Sequence, residues 1–148
     1  MNFKREPLTS DLFHEVMPLL EKHYHEIAHY KDIELDPDIE AYENLERNNA
    51  IRCFIARDEL EVMVGYAVYF IRHNIHYKSS LQALQDVIYI DPERRGFGAQ
   101  FILWCDEQLK AEGVQIVYHH VKNAHNFGPM LERLGYRLVD LIYTRRLD

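Results

Sequence analysis

Apolar positions recur along the chain with two different periods, and the switches between them mark out its elements. Phe13, Val16, Met17, Leu20, Tyr24, Ile27 and Ala28 recur at helical spacing. Thr9, Ser10 or Asp11 supplies a cap for that helix, and Pro18 inside it is expected to bend it. A short strand near Asn2–Arg5 precedes it, and a second helix follows from about Pro37 to Arg47. AIRCFIAR and VMVGYAVYFI, joined by the polar turn DELE, read as two antiparallel strands. A loop through His73–Ser80 leads to a strand ending in DVIYI, Asp86–Ile90. AQFILWCDEQLKAEG then reads as a helix stopped at Gly113, and VQIVYHHV (114–121) as a strand. A short helix from about Phe127 to Leu134 precedes a final strand, YRLVDLIYTRRL. The order is β-α-α-β-β-β-α-β-α-β, a mixed α/β layer arrangement. No repeat or Gly/Ser linker divides the 148 residues, so one domain over 1–148 is expected.

Composition narrows the function classes. Seventeen basic against twenty-four acidic residues give a net charge of −7, which argues against a dedicated nucleic-acid binder needing a basic face for phosphates. No apolar run approaches the ~20 residues of a membrane span, and MNFKREPLTS offers no apolar stretch as a secretion signal. Cys53 and Cys105 are too few for a disulfide framework or a zinc finger, and a reducing cytoplasm is the expected setting. Acids concentrate at Asp32, Glu34, Asp36, Asp38, Glu40, Glu43 and Glu46. That cluster reads either as a solvated helix face with its loop or as a field attracting a cationic substrate.

Two motifs carry candidate chemistry. His25-Glu26-Ile27-Ala28-His29 matches H-E-x-x-H, which on a helix places two imidazoles on one side with a carboxylate between them, as a zinc hydrolase needs. At ~100° per residue, however, His25 and His29 fall roughly 120° and 160° from the apolar stripe, on the solvent side. No metzincin spacing follows, although Glu43 or Glu46 could bring a third ligand. The favoured reading is two exposed histidines and no metal.

The second motif is DPERRGFGAQ, Asp91–Gln100, where a buried strand runs through glycines directly into an amphipathic helix. Glycines let the backbone turn tightly, the helix start offers unpaired N–H groups and partial positive charge, and Arg94 and Arg95 add mobile counter-charge. This is a site for a phosphate-bearing ligand. It is not a P-loop, because no GxxxxGK[ST] is present, and Phe101 stands where a dinucleotide fingerprint has its third glycine. The bland alternative is a plain glycine-rich turn.

DVIYIDPERRGFGAQFILWCDEQLK resembles the acetyl-CoA-binding motif of the GNAT superfamily of N-acetyltransferases, [Q/R]-x-x-G-x-[G/A] opening a helix after a strand. Arg95 fills the first position and Gly98 the fourth, while Gln100 stands where Gly or Ala is usual. VQIVYHHV followed by NFGPMLERLGYRL resembles the family's next strand and helix, with Leu134-Gly135-Tyr136 matching their ending. The element order fits over nearly the whole chain. The resemblance implies an α+β (mixed α/β), GNAT-like fold: a central, mostly antiparallel sheet splayed between strands 4 and 5, with helices on both faces.

It also implies a function. Acetyl-CoA would be the co-substrate, with no metal, and a primary amine would attack the thioester directly in a ternary complex. Backbone groups of Ile88, Tyr89 and Ile90 would pair with the pantetheine arm. N–H groups of Arg95, Gly96, Phe97, Gly98, Ala99 and Gln100 would cradle the pyrophosphate, with Asn126 a further cofactor contact or else a helix cap. Asp86 is the first candidate base and Glu93 a weaker one. The family's usual tyrosine acid falls on Leu131, leaving Tyr118, His119, His120 or Tyr89 as substitutes; Tyr118 and His120 are the first choices. Glu26 and Tyr30, with the acidic segment 32–46, would border the acceptor site. Expected partners are acetyl-CoA and an amine, either a small cationic molecule or a protein amine, with no nucleic acid or membrane; a homodimer is allowed. Alternatives are a CoA-binding or regulatory module without turnover and, behind it, the zinc hydrolase.

Overall fold

The computed structural model describes residues 1–148. In chain order the elements are β1 (Asn2–Arg5), α1 (Ser10–Ile27), α2 (Ile39–Arg47), β2 (Ile51–Arg57), β3 (Met63–His73), β4 (Leu81–Ile90), α3 (Gly98–Ala111), β5 (Ile116–Tyr118) and α4 (Gly128–Arg133). The strands form one sheet in the order β1-β2-β3-β4-β5, antiparallel except for the parallel pair β4–β5. This is the expected α+β layering. No helix is long and apolar enough to cross a membrane.

Alternation along the strands sends side chains to two cores, one on each face of the sheet. Ile51, Cys53, Ile55, Tyr66, Val68 and Tyr89 pack against Leu12, Phe13 and Leu19 of α1, with Tyr42 and Leu45 of α2 beside them. Phe54, Ala67, Tyr69 and Ala83 pack against Phe101, Cys105 and Leu109 of α3. Asp58 shapes the DELE turn, its Oδ1 accepting N–H bonds from Leu60 and Val62 at 2.9 and 3.0 Å. Thr9 caps α1 by accepting from Leu12 N, and Asp38 caps α2 by accepting from Ala41 N. α1 continues through Pro18, which withholds one helical N–H bond.

Two irregularities in β4 set the geometry of the sheet's far edge. Its pairing with β3 slips between Val68 and Tyr69, which face Val87 and Gln85 respectively, so Asp86 is the extra residue of a bulge. The bulge sends two consecutive side chains, Asp86 and Val87, to the α1–α2 face, where Asp86 meets Tyr42 and Val87 joins the core. On the other edge, β5 pairs only with Gln82, Ala83 and Leu84. From Gln85 to Ile90, β4 pairs with β3 alone, and the sheet is open on its β5 side.

The structure corrects the sequence reading at three places. The buried stripe of α1 runs through Leu12, Phe13, Leu19 and His23 rather than to Tyr24, because His23 is polar but occupies a core position. The strand expected over 114–121 shrinks to three residues. The final strand over 136–147 does not form: these residues have no regular secondary structure, and Leu138, Val139, Leu141, Ile142, Tyr143 and Leu147 are all exposed. Their apolar pattern specifies a strand's faces but not the edge that pairs it. The segment is held instead at its far end, where Arg146 pairs with Asp32 and Thr144 Oγ1 lies 3.2 Å from Tyr30 Oη.

Candidate functional site

A cavity of about 390 Å³ occupies the gap where β4 and β5 separate. Asp86, Ile88, Tyr89 and Ile90 of β4 form one wall, and Arg95, Gly96, Gly98 and Ala99 close one end. His120, Lys122 and His125, beyond β5, form the opposite wall with Met130 and Arg133 of α4, while α1 contributes His23, Glu26 and Ile27.

Gln85 holds the fork of the splay. Its Oε1 accepts from His120 N at 3.0 Å and from His119 Nδ1 at 3.0 Å, so a side chain replaces the ladder where the strands part. The His120 amide can only donate, which fixes the Gln85 oxygen as acceptor and His119 Nδ1 as protonated. His119 Nε2 then faces Tyr69 Oη at 3.4 Å. Burial pushes the His119 imidazole down to about 4, and its packing against Phe127 and Tyr136 marks it as a structural residue.

The glycine loop turns as the sequence predicts. Gly96 has φ +143°, a conformation that side-chain-bearing residues rarely adopt, and a Cβ on Gly98 would stand 3.2 Å from Ile90 Cδ1. Phe97 precedes α3 without any side-chain cap, and the first helical bond is donated by Phe101 to Phe97 O. The N–H groups from Gly96 to Gln100 therefore have no protein acceptor, and they converge at the positive end of a 14-residue helix. With Arg95, Lys122 and Arg133 on the walls, the arrangement can bind a phosphorylated ligand.

Neither arginine of the loop is free, contrary to expectation. Arg94 pairs with Asp58 at 3.2 Å. Arg95 donates to both oxygens of Glu26 at 2.7 and 2.8 Å and, through Nε, to Ile90 O at 3.0 Å.

On the α1–α2 side of the cavity, Asp86 accepts a hydrogen bond from Tyr42. Burial raises its carboxyl above the usual range, and the Tyr42 hydrogen bond offsets part of that rise. His23 lies beneath the cavity with Nδ1 2.8 Å from Tyr66 Oη and its ring stacked on Tyr89 at 4.8 Å. Burial pushes His23 down to about 4, so it is neutral near pH 7. The Tyr89 hydroxyl is buried without a hydrogen-bond partner, and burial raises it.

Of the residues expected from sequence, Asp86, His120, Ile88, Tyr89, Ile90, Arg95, Gly96, Gly98, Ala99 and Glu26 line the cavity. Five others do not. Tyr118 is half-buried at the end of β5, where alternation stops being a guide to orientation. Phe97 packs its ring on Phe3, centroids 6.0 Å apart, and the side chain of Gln100 is exposed. Asn126 Oδ1 accepts from Gly128 N at 2.9 Å, a local turn contact. Tyr30 lies against Thr144, with the Arg146 guanidinium over its ring. No residue of the acidic cluster reaches the cavity either: Asp38 caps a helix, Glu43 accepts from Ser10, Glu46 from Leu8 N, and Asp32 pairs with Arg146. The H-E-x-x-H spacing is broken because α1 ends at Ile27; His29 lies past the extended cap at Ala28, and Glu26 is committed to Arg95. His23, Lys122, His125 and Arg133 are cavity residues that sequence reasoning missed.

No family model and no curated protein matches the sequence. Solved structures do match over nearly the whole chain. A ribosomal-protein-alanine N-acetyltransferase from Brucella melitensis biovar Abortus 2308 is similar at 18% identity and TM-score 0.72, with 99% of this chain and 100% of that one covered. An aminoglycoside acetyltransferase from an uncultured soil metagenomic sample, in complex with sisomicin, gives 18% identity and TM-score 0.70, covering 98% and 96%. A predicted acetyltransferase with acetyl-CoA from Clostridium acetobutylicum gives 16% and 0.70, covering 99% and 96%. At these identities the likeness shows a shared fold.

Proposed function

We propose that this chain, built on the fold of the GNAT N-acetyltransferases, transfers the acetyl group of acetyl-CoA to a primary amine by direct attack in a ternary complex. The observation that carries the reading is the opening between β4 and β5, which runs along Ile88–Ile90, paired with β3 but with no strand on the β5 side, and ends at the unpaired N–H groups of Gly96–Gln100. A strand edge offers an extended pantetheine arm amide partners, and the loop offers a pyrophosphate its donors. Lys122 and Arg133 add positive charge to the same walls.

In this scheme the incoming ammonium loses a proton to Asp86, whose burial gives it a stronger proton affinity than an exposed aspartate. The neutral amine nitrogen forms a bond to the thioester carbonyl carbon. The tetrahedral intermediate then collapses as the C–S bond breaks; the nitrogen sheds its second proton and the thiolate takes one up, leaving the acetamide and the free CoA thiol. His120 on the facing wall and Tyr89 on β4 are the named donors that line the cavity, with His120 the first choice; Tyr118 is withdrawn from that role because it does not reach the cavity. Glu26 puts a carboxylate on the cavity wall; freed from Arg95, it would favour a cationic amine.

A second reading, a CoA-binding module without turnover, is favoured by one observation. The position of the family's usual tyrosine acid is Leu131, buried in the core. Incubating the protein with acetyl-CoA and a panel of polyamines, aminoglycosides and N-terminal peptides, while following release of the CoA thiol, separates the two. Thiol release that depends on the amine supports the transferase. Saturable acetyl-CoA binding with no release from any amine supports the module, and no binding removes both.

A further inference from the structure

Glu26 stands in the last turn of α1, yet it ties together both lips of the cleft. On one side Arg95 gives it two hydrogen bonds at 2.7 and 2.8 Å, across 69 residues of chain. On the other, His125 Nδ1 lies 3.4 Å from the same carboxylate. Arg95 is held at a second point in this pose: its Nε also donates to Ile90 O at 3.0 Å, and its guanidinium lies 5.8 Å from the centre of the Tyr89 ring. The side chain expected to meet a phosphate is thus folded back over the strand edge where a pantetheine arm would pair.

We infer that Glu26 is an internal stand-in for the cofactor's phosphate: it holds Arg95 until the anionic ligand arrives and then yields it. The inference rests on the acetyl-CoA reading above. The pair is exchangeable, because the side chains of Arg95 and Glu26 keep 33% and 21% of their exposure, and pairs open to water are weak. A phosphate can take both terminal nitrogens of the guanidinium, where Glu26 takes only Nη2, and also engages the N–H groups of Gly96–Gln100, which Glu26 leaves unpaired. Exchange releases Ile90 O as well, so one movement opens both the pyrophosphate site and the strand edge. It leaves Glu26 with His125 as its remaining neighbour and frees a carboxylate on the cavity wall. Occupation by the anionic ligand therefore raises affinity for a cationic amine, and linkage requires the converse.

The test is calorimetric titration of coenzyme A into four proteins: wild type, Glu26→Gln, Arg95→Gln and the double variant. Removing the stand-in should make Glu26→Gln bind coenzyme A about three- to fivefold more tightly, the range set by a partly exposed pair. Arg95→Gln should bind more weakly than wild type, and adding Glu26→Gln to it should give no gain, because nothing is left to release. Glu26→Asp, too short to span the same gap, is the second variant and should also tighten binding. Unchanged or weaker binding by Glu26→Gln would overturn the inference. So would an equal gain in the Arg95→Gln background, which would show only the loss of a repelling charge. Wild-type protein that binds no coenzyme A would instead remove the functional reading itself.

Discussion

Tyr42, on α2, donates its hydroxyl to the carboxylate of Asp86, which stands at the bulge of β4, 44 residues further along the chain. Each partner shapes the other's chemistry. Burial and the carboxylate together keep the phenol protonated, and the phenol lowers a carboxyl that burial alone would raise further. If Asp86 takes the amine proton, activity rises with pH as that carboxyl ionises. Asp86→Asn should lower kcat by ~100-fold or more and erase this acid limb. Tyr42→Phe removes a group that stabilises the carboxylate, so the limb should move to higher pH. A pH–rate profile untouched by both substitutions would end the role of Asp86 as base.

The glycine loop is expected to fail through its backbone rather than its charge. Gly96 holds φ +143°, and forcing alanine into that region costs ~1–3 kcal/mol. Gly96 has no heavy atom within 4 Å of a built Cβ, so the cost is conformational and local. Gly96→Ala should therefore lower the melting temperature by several degrees and, if the loop relaxes away from its cradle shape, weaken acetyl-CoA binding about tenfold. Titration calorimetry beside a melting curve checks both parts.

Acid should destabilise the protein through two buried imidazoles. His23 and His119 both stand at about 4 in the folded chain against 6.5 when free. Below 6.5 the unfolded chain binds more protons, so stability falls as pH drops and levels off near 4, where the folded protein also takes them up. Asp86 and Asp106 are raised by burial and act in the opposite direction, at the low end of that window. Urea unfolding at pH 7.5 and pH 5.0 should show a loss of a few kcal/mol, and His119→Gln should shrink it.

Arg57 joins three parts of the fold away from the cavity. It donates to Glu6 at 2.8 and 2.9 Å, to Glu15, and to Glu61 O at 3.0 Å, and it is nearly buried. Arg57→Ala leaves two carboxylates without their partner and should cost about 2–4 kcal/mol of stability. Arg57→Lys cannot reproduce the forked geometry and should recover only part of it. Acetyl-CoA affinity measured on the folded fraction should be unchanged, since Arg57 does not line the cavity.

The sequence made the regular parts legible. The apolar runs of β2 and β3 on either side of the DELE turn, the helix of α3 and the strand–glycine–helix junction at Asp91–Gln100 all depend on local sequence, and the structure forms them. The misses have long-range causes. His23 is buried because Tyr66 and Tyr89 satisfy and stack on it, partners 43 and 66 positions away that no local period reveals. Its place seven residues after Val16, on the same stripe, was the available signal. Asp86 turns toward Tyr42 because of a bulge, which shifts alternation without changing composition. Arg94 and Arg95 look like free counter-charge in sequence, but Asp58 and Glu26 reach them through the tertiary fold. Tyr30 and the acidic segment fall outside the cavity because helix caps and ion pairs on another surface take them.

Amide hydrogen exchange with and without acetyl-CoA tests most directly whether the cofactor binds in the β4–β5 opening. Added acetyl-CoA should slow exchange at two places together, the Ile88 and Ile90 amides on the open edge and the Gly96–Gln100 amides of the loop, in one step. Binding that leaves both stretches unchanged, or that protects a different surface, would contradict it.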